Sequence, residues 1–447
     1  MYKHSRDADI VPLSIFDTPP TNTSVKTSHW VTEQSNGKLS GDSIKFKFDG
    51  NTGKYLDLEK TRLYLKCQII PTKEKPDTPP TGGGTSENEE YVAGDVPPPD
   101  SAVPINHLLR TMWKSVEVTV DKTVISSGTD DFAYKSLIKT LLYSCHDQGS
   151  VNRMNTELFY PDTNGHPDSI YISDGMNNGV YSRREYVTIG EEFEMEGSLN
   201  ECSLNLDKYL INGLDVTIRL TRTTDEFMLN TNAPERKYTL KIKDAKMRMR
   251  MMDVGPSIIT GHDSGLKEGG MAQYFFRQSH IHHFTLSQGD RSACQTIFTG
   301  DLPNRIVVAM IEERRHLGNY TLNPLHFDTF NCEHMSLVLN NTDRTHEYHM
   351  DFKNKAYAMP YSALMALGPN AVIDYTAFRD DYPLFVFDVY PNDDDTDLLL
   401  QKTGSIRLEL TLAEEAKRAI HVMVYAEFQN CFQVDHVRKV IFSPLKT

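Results

Sequence analysis

The sequence has no long apolar segment and no excess of basic charge. Its longest purely apolar run is Ile306–Ile311, far short of the roughly 20 residues that a membrane-spanning helix needs. The N-terminal residues MYKHSRDADIVPLS lack the apolar core of a secretion signal. The formal net charge is -14, whereas a surface that coats nucleic acid needs an excess of Lys and Arg. We therefore expect a soluble protein made in the cytoplasm, without a transmembrane segment and without sequence-specific nucleic-acid binding.

Sequence motifs of catalysis are also missing. Gly82–Gly84 is not followed by Lys and Ser or Thr and lies in a Pro-rich stretch, which argues against a phosphate-binding loop. No G-x-S-x-G motif marks a nucleophilic serine. The six cysteines form no C-x-x-C pair, so we expect free and mostly buried thiols. We assign no catalytic residue and no cofactor, and we expect the chain not to be an enzyme.

Three histidine-rich or acidic segments are weak candidates for metal ligands. His280 and His282 would share a strand face, but no Cys or carboxylate nearby completes a tetrahedral set. The histidines of His346–His349 (HEYH) are three apart, whereas a zinc protease needs them four apart on a helix. Asn392–Asp397 (NDDDTD) lacks the Gly and the late Glu of an EF-hand loop. We predict no metal site, and hydrogen-bonded or solvated side chains instead.

The sequence is rich in short segments with strand character. The 447 residues suit two β-rich units of about 200 residues each. Helical character is confined to Phe132–Ser144, which Asp130 or Asp131 can cap, and to Tyr361–Phe378, which Gly368 and Pro369 interrupt. These features predict an all-β protein of two β-sandwiches with a few short helices. The predicted strands are Ile44–Phe48, Arg62–Ile70, Ser115–Ser126, Glu185–Met195, Cys202–Leu206, Leu214–Arg222, Tyr238–Met252, Tyr274–Leu286, Asn304–Ile311, His334–Leu339, Pro383–Tyr390, Ser405–Leu412 and Ala419–Phe428.

Composition suggests how the chain is divided. Residues 1–40 are rich in Thr, Ser, Asn and Pro without periodicity, which predicts an extended N-terminal arm. Residues 71–102 combine Pro, Gly and acidic residues, which predicts a long exposed loop. Loop composition near 230–234 separates a first domain, 41–235, from a second domain, 236–447.

One predicted strand has a basic face. In Lys246–Met252 (KMRMRMM), Lys246, Arg248 and Arg250 alternate with methionines, so the two sets lie on opposite faces. We expect the methionine face to be core. The basic face could meet DNA, an acidic neighbour or solvent, and its role stays open.

Several blocks of sequence, in order, resemble double jelly-roll major capsid proteins of the Polinton/Maverick and adintovirus branch of the tectivirus-adenovirus lineage. That family has an N-x-L-L-x-x-hydrophobic block, an alternating strand and a tyrosine-containing helix ending in Leu-Leu. Positions 197–220 resemble the end of the family's first jelly roll. The matching residues are Asn106, Leu108, Leu109, Tyr134, Leu141, Leu142, Asp207, Leu210, Asn212 and Gly213, and the blocks continue at 302–311, 319–331, 382–391, 404–412 and 422–430.

The resemblance implies two consecutive jelly rolls and a role in a virion. Members of this lineage form homotrimers, which act as pseudo-hexagonal capsomers and tile an icosahedral shell around a DNA genome. The implied partners are neighbouring trimers, a single jelly-roll penton protein and minor capsid proteins. On this basis the chain is expected in the virion, after synthesis in the host cytoplasm and assembly there or in the nucleus.

Two other functions remain open at the sequence level. A receptor- or carbohydrate-binding β-sandwich would need clustered exposed aromatic residues, yet the chain has only Trp30 and Trp113 as tryptophans. A cupin-like metalloenzyme would need a metal held by His280, His282 or His346.

Overall fold

The computed structural model consists mainly of antiparallel sheets joined by loops and short helices. It describes residues 22–50, 53–72, 102–126, 131–144, 152–170, 176–232, 237–340, 343–367, 373–390 and 401–444. The predicted loop at 71–102 lies almost wholly outside the described residues, as do Gly82–Gly84 and Asn392–Asp397. No helix within the described ranges is long and apolar enough to cross a membrane.

The strands and helices are numbered in chain order. The strands are β1 (Val25–Gln34), β2 (Ser43–Phe48), β3 (Lys54–Thr72), β4 (Ala102–Pro104), β5 (Trp113–Val120), β6 (Thr123–Val124), β7 (Glu192–Gly197), β8 (Val216–Arg222), β9 (Leu229–Thr231), β10 (Lys237–Val254), β11 (Ala272–Leu286), β12 (Ser292–Asp301), β13 (Arg305–Glu312), β14 (Cys332–Leu339), β15 (Asp343–His349), β16 (Phe385–Asp388), β17 (Thr403–Leu412), β18 (Ile420–Val434) and β19 (Val440–Phe442). The helices are α1 (Leu108–Thr111), α2 (Phe132–Lys139), α3 (Asn178–Tyr186), α4 (Asp225–Met228), α5 (Pro256–Lys267), α6 (Glu313–His316), α7 (Ala358–Leu367) and α8 (Tyr375–Asp380).

Eight of the ten strands of the first half form two four-stranded sheets, and β4 pairs with β9. Sheet 1 has the order β1-β10-β3-β7, and sheet 2 has the order β2-β8-β5-β6. Side chains alternate between core and solvent, as the two-residue period of a strand requires. In β2, for example, Ile44, Phe46 and Phe48 are buried, whereas Lys45 and Lys47 are exposed. Strands that are distant in sequence lie side by side, which is the pattern of Greek-key sandwiches.

The second half repeats this arrangement. Sheet 3 has the order β11-β18-β13-β16 with β19 paired to β18, and sheet 4 has the order β12-β17-β14-β15. The apolar run Ile306–Ile311 lies in β13, where every one of these residues is buried. This strand lies between β16 and β18 in the interior of sheet 3. Its continuous apolar sequence fits a strand that is covered on both faces.

Helix α2 lies between the two halves, against β5 of the first and β11 of the second. Seven of its eight residues are buried, including Lys135. Tyr134 Oη donates a hydrogen bond of 3.2 Å to the carbonyl oxygen of Pro324 in the second half. The predicted helix is confirmed, although its last residues form a π-helical turn, Thr140–Ser144. Asp131 precedes the helix without capping it.

Most predicted strands are confirmed, but two segments differ from expectation. Cys202–Leu204 forms a 3-10 turn instead of a strand, and residues 185 and 186 end helix α3. The sequence also gives no indication of β1, β12 or α5. β1 is an edge strand, and most residues of α5 are exposed, so neither element needs a strongly periodic apolar pattern.

The pairing of strand β10 shows to which half of the chain this strand belongs. The predicted boundary assigns 236–447 to the second domain, but β10 pairs with β3 and β1 of sheet 1. The hydrogen bonds of β10 therefore belong to the first sandwich. We place the division instead in α5, which follows β10 and precedes β11. Within the predicted arm at 1–40, residues 25–34 form β1 and residues 1–21 lie outside the described range.

Candidate functional sites

A cluster of buried ionisable side chains ties α1 to the turn before Leu158. Glu157 accepts hydrogen bonds from His107 Nε2 at 2.7 Å and from Arg110 Nη2 at 3.0 Å. Burial opposes ionisation of Glu157, but the hydrogen bond from His107 and the charge of Arg110 hold its pKa at about 2. Burial, followed by the charge of Arg110, lowers the pKa of His107 to about 4. All three side chains are shielded from solvent, so the cluster is placed to hold the fold together.

The N-x-L-L block lies in the same buried region. Asn106 Oδ1 accepts the backbone N–H groups of His107 at 2.9 Å and of Tyr160 at 2.8 Å. Leu108 and Leu109 are fully buried in the core. These residues therefore determine the path of the backbone, and they do not form an open binding site.

A second polar cluster joins the two halves of the chain. Glu427 of β18 accepts hydrogen bonds from Tyr143 at 3.0 Å and from Tyr425 at 2.8 Å. Arg305 of β13 donates to the Tyr143 hydroxyl at 2.7 Å and lies 3.5 Å from Glu427. Burial raises the pKa of Tyr143 and of Tyr425 well above the ordinary value, so both phenols stay protonated and can donate. Tyr143 comes from the first half, which makes this cluster a fixed contact between the halves.

A cleft of about 500 Å³ opens beside this cluster. Its lining includes Lys139 and Cys202 from the first half and Phe275, Arg277 and Glu427 from the second. The volume would suit a small molecule. However, Glu427 is already bound by the tyrosines, and Lys139 donates to the carbonyl oxygen of Asn200 at 3.3 Å. The cleft supports no specific chemistry.

Three histidines and an aspartate form a histidine cluster at the same junction. His283 Nε2 donates to Asp131 Oδ2 at 2.8 Å, and its Nδ1 shares a hydrogen bond of 2.9 Å with His421 Nε2. The His316 ring stacks on His421 at a centroid distance of 3.8 Å. Burial, together with the charges of His316 and His283, lowers the pKa of His421 to about 3. The ring of His421 is therefore neutral near pH 7. The four side chains join α6, β11 and β18 to the residue before α2.

His280 and His282 do not converge on a metal ligand set. The ring of His280 meets Phe428 edge-on at 5.7 Å, and that of His282 meets Phe298 at 6.1 Å. Burial lowers the pKa of His280 to about 4 and also lowers that of His282. Both are partly buried histidines packed on aromatic rings.

The HEYH segment forms the end of β15, at the edge of sheet 4. Glu347 and His349 are two residues apart and share a strand face, where they meet His334 of β14. His334 Nε2 lies 2.7 Å from Glu347 Oε1, and His349 Nε2 lies 3.5 Å from the same oxygen. Among the described residues this is a set whose ligand atoms could hold a metal ion. Sequence reasoning missed it because His334 comes from another strand and strand pairing is not visible in the sequence.

The basic face of β10 is paired within sheet 1. Arg248 Nη1 lies 2.8 Å from Glu196 and its guanidinium lies over the Trp30 ring at 5.0 Å. Arg250 donates to Ser28 Oγ at 2.7 Å, and Lys246 forms an ion pair with Asp244. Met247, Met249 and Met251 are buried on the other face, as predicted. These intramolecular pairs take up much of the positive charge that a nucleic-acid surface would need.

Exposed apolar side chains are spread over the surface of the described residues. Trp30 is 43% exposed on the edge strand β1, whereas Trp113 is 1% exposed and belongs to the core. The two tryptophans therefore do not form one exposed aromatic platform. A cleft of about 730 Å³, lined by residues that include Tyr209 and Met271, lies beside α5. The exposed large apolar residues are Trp30, Val124, Met176, Tyr181, Tyr186, Tyr209, Met271, Phe275, Leu317, Met359, Tyr375, Val437 and Ile441.

Comparison with known proteins gives no match by sequence but a clear match by fold. No protein-family model and no curated protein sequence matches the chain. A chain in the cryo-EM structure of the Sputnik virophage superposes with a TM-score of 0.66 at 10% identity, over 99% of this chain and 94% of that one. A chain of a quasi-atomic model of the PBCV-1 virus capsid gives a TM-score of 0.57 at 9% identity, over 96% and 100%. The mavirus major capsid protein gives 0.50 at 10% identity, over 99% of each chain.

At these identities the likeness concerns the fold. The matches extend over nearly the whole of each chain, so both halves and their order along the chain are shared. The protein has the double jelly-roll fold, two consecutive β-sandwiches with short helices in the connections.

Proposed function

We propose that this protein is a major capsid protein, a structural subunit of an icosahedral virion and not an enzyme. The observation that carries the proposal is the double jelly roll that runs over 99% of the chain, as in the virophage structure. The polar clusters support it because their members bond to one another inside the chain. Clusters that serve the packing of the chain itself fit a structural subunit, which acts by contact with other subunits.

The shape suggests how the subunit would assemble. Three chains with two upright sandwiches each would give six sandwiches, which form a pseudo-hexagonal block able to tile a flat face. An obligate trimer of this kind should bury more than about 2,000 Å² at an interface. Exposed apolar side chains such as Tyr209 and Met271 are candidates for burial between subunits.

The finer assignment rests on the sequence blocks. We propose that the virus belongs to the Polinton/Maverick and adintovirus branch, with a DNA genome inside the shell. The partners would be further trimers, a single jelly-roll penton protein and minor capsid proteins. Synthesis in the host cytoplasm would precede assembly.

We further propose that the N-terminal arm contacts neighbouring capsomers. Because β1 completes the edge of sheet 1, the test should remove residues 2–21 and keep Val25–Gln34. We expect the shortened chain to form trimers but few shells, as counted by electron microscopy. Shells at normal yield would contradict a role for the arm.

The test of the proposed function is sedimentation equilibrium of the full chain over a range of protein and salt concentrations. A mass three times the 50.9 kDa of one chain, stable to dilution, is the expected result. A monomer that persists at every concentration would contradict the proposal. Trp113 is buried, so the two tryptophans do not supply the exposed aromatic cluster that the carbohydrate-binding alternative needs.

A further inference from the structure

We propose that His334, Glu347 and His349 form a binding site for a divalent transition-metal ion of the zinc class. The three side chains come from two neighbouring strands, β14 and β15. His334 and His349 are directly opposite each other in the antiparallel ladder, and Glu347 is two residues before His349 on the same face. The ligand atoms of all three residues lie within 4.8 Å of one another.

The distances are close to those that a tetrahedral ion requires. Bonds of about 2.0–2.2 Å from zinc to nitrogen and oxygen place neighbouring donor atoms about 3.3 Å apart. His349 Nε2 is 3.5 Å from Glu347 Oε1, which already fits. His334 Nε2 is 2.7 Å from the same oxygen, a hydrogen-bond distance that must open by about 0.6 Å when an ion replaces the shared proton. Small side-chain rotations would provide this change.

The scaffold limits how far the ligands can move apart. Met335 of β14 and Tyr348 of β15 are paired in the ladder next to the site, and both are buried. The site face is open, since the side chain of His349 is 75% exposed and that of Glu347 is 36% exposed. An ion could therefore enter from solvent and keep water at its fourth position, as in sites with three protein ligands.

The donor set favours some metals over others. Two imidazoles and one carboxylate suit Zn²⁺, Co²⁺ and Ni²⁺, whereas Ca²⁺ and Mg²⁺ prefer oxygen ligands alone. Because β15 is the edge strand of sheet 4, an ion shared between β14 and β15 would fasten the edge to the rest of the sheet. An ion that binds only the folded chain raises its stability by mass action.

The alternative is a cross-strand hydrogen bond between His334 and Glu347 without any metal. Titration of the untagged, full-length chain with ZnCl₂ in a calorimeter distinguishes a metal site from this metal-free hydrogen bond. We expect the unaltered chain to bind one ion per chain. His349→Asn and Glu347→Gln should each bind Zn²⁺ at least about tenfold more weakly. Co²⁺ in place of Zn²⁺ should give visible ligand-field absorption. The control is His436→Asn, which changes an exposed histidine in another part of the chain and should bind as the unaltered chain does.

Two outcomes would overturn the proposal. One is the absence of binding at micromolar Zn²⁺, and the other is binding that His349→Asn and Glu347→Gln leave unchanged. Since His349 is exposed, its replacement should not unfold the chain, and circular dichroism checks this for each variant. The titration gives the same answer whether the chain is a monomer or a trimer, so it is independent of the proposed function.

Discussion

At the scale of single residues, two buried carboxylates, Glu157 and Glu427, lie in clusters whose members compensate their charge. Glu157 is almost fully buried beside His107 and Arg110, and Glu427 is buried beside two tyrosines and Arg305. A buried charge without such partners would cost several kcal/mol. Each cluster also joins segments that are distant in sequence, so its loss should affect the stability of the chain as a whole.

The first prediction concerns Glu157. In Glu157→Ala the guanidinium of Arg110 and the ring of His107 lose their buried acceptor, and we expect the free energy of unfolding to fall by about 3–5 kcal/mol. Urea denaturation followed by circular dichroism measures this difference. The control is Glu191→Ala at an exposed position, which should change stability by less than about 0.5 kcal/mol. Equal effects of the two substitutions would contradict the role given to Glu157.

The second prediction concerns pH. Burial lowers the pKa of His421 to about 3 and that of His280 to about 4, whereas an unfolded histidine titrates near about 6.5. Below pH 6.5 the unfolded chain therefore binds protons that the folded chain does not, and the free energy of unfolding must fall as the pH falls. Most carboxylates titrate below about 4.5, so the loss between pH 6.5 and pH 5 reports on histidines.

Urea denaturation at pH 7, 6 and 5 checks this dependence. We expect stability to decrease stepwise over that range, and the decrease to be smaller in His421→Gln, which has one fewer group with a lowered pKa. A stability that is constant from pH 7 to pH 5 would show that the buried histidines are not held neutral.

At the scale of elements, the sequence predicts structure best where one face of a strand is buried. β2, β5, β10 and β17 follow the alternation of their side chains and were all predicted. α2 was predicted because its apolar residues lie along one side, whereas the burial of almost all its residues between two sandwiches becomes visible only in the structure.

Prediction from sequence failed where contacts with neighbouring elements determine the local structure. Cys202–Leu204 has strand-like residues but forms a 3-10 turn whose three residues are all buried. The grouping of His334 with Glu347 and His349 depends on the register of β14 and β15, which no local pattern encodes. Asp131 is another example of a distant contact that the sequence does not reveal. Its position before α2 is typical of a helix cap, but its side chain bonds to His283 of a distant strand.

A third prediction concerns Asp374, a residue whose side chain caps the N-terminus of helix α8. Asp374 begins α8 and accepts the backbone N–H groups of Thr376 at 2.8 Å and of Ala377 at 2.7 Å. Asp374→Ala should lower the free energy of unfolding by about 1 kcal/mol, because both donors lose their partner. Asp374→Asn keeps a side-chain oxygen and should stay close to the unaltered chain in the same denaturation experiment. A stability of Asp374→Ala equal to that of Asp374→Asn would contradict a capping role.

At the scale of the whole molecule, two sandwiches are held side by side by contacts that span the chain. α2 lies between them. The Glu427 cluster connects β18 to the turn after α2, and the histidine cluster connects β11 to the residue before α2. Such a junction should keep the two sandwiches in one fixed orientation. A subunit that tiles a shell needs this rigidity, because its two sandwiches must occupy neighbouring positions of the same block.

The central claim, that three such chains form a pseudo-hexagonal capsomer, is tested most directly by single-particle electron microscopy of the purified protein. We predict class averages with six lobes of similar size around a centre, viewed along a threefold axis. Particles with only two lobes, at concentrations where sedimentation shows one 50.9-kDa chain, would contradict it.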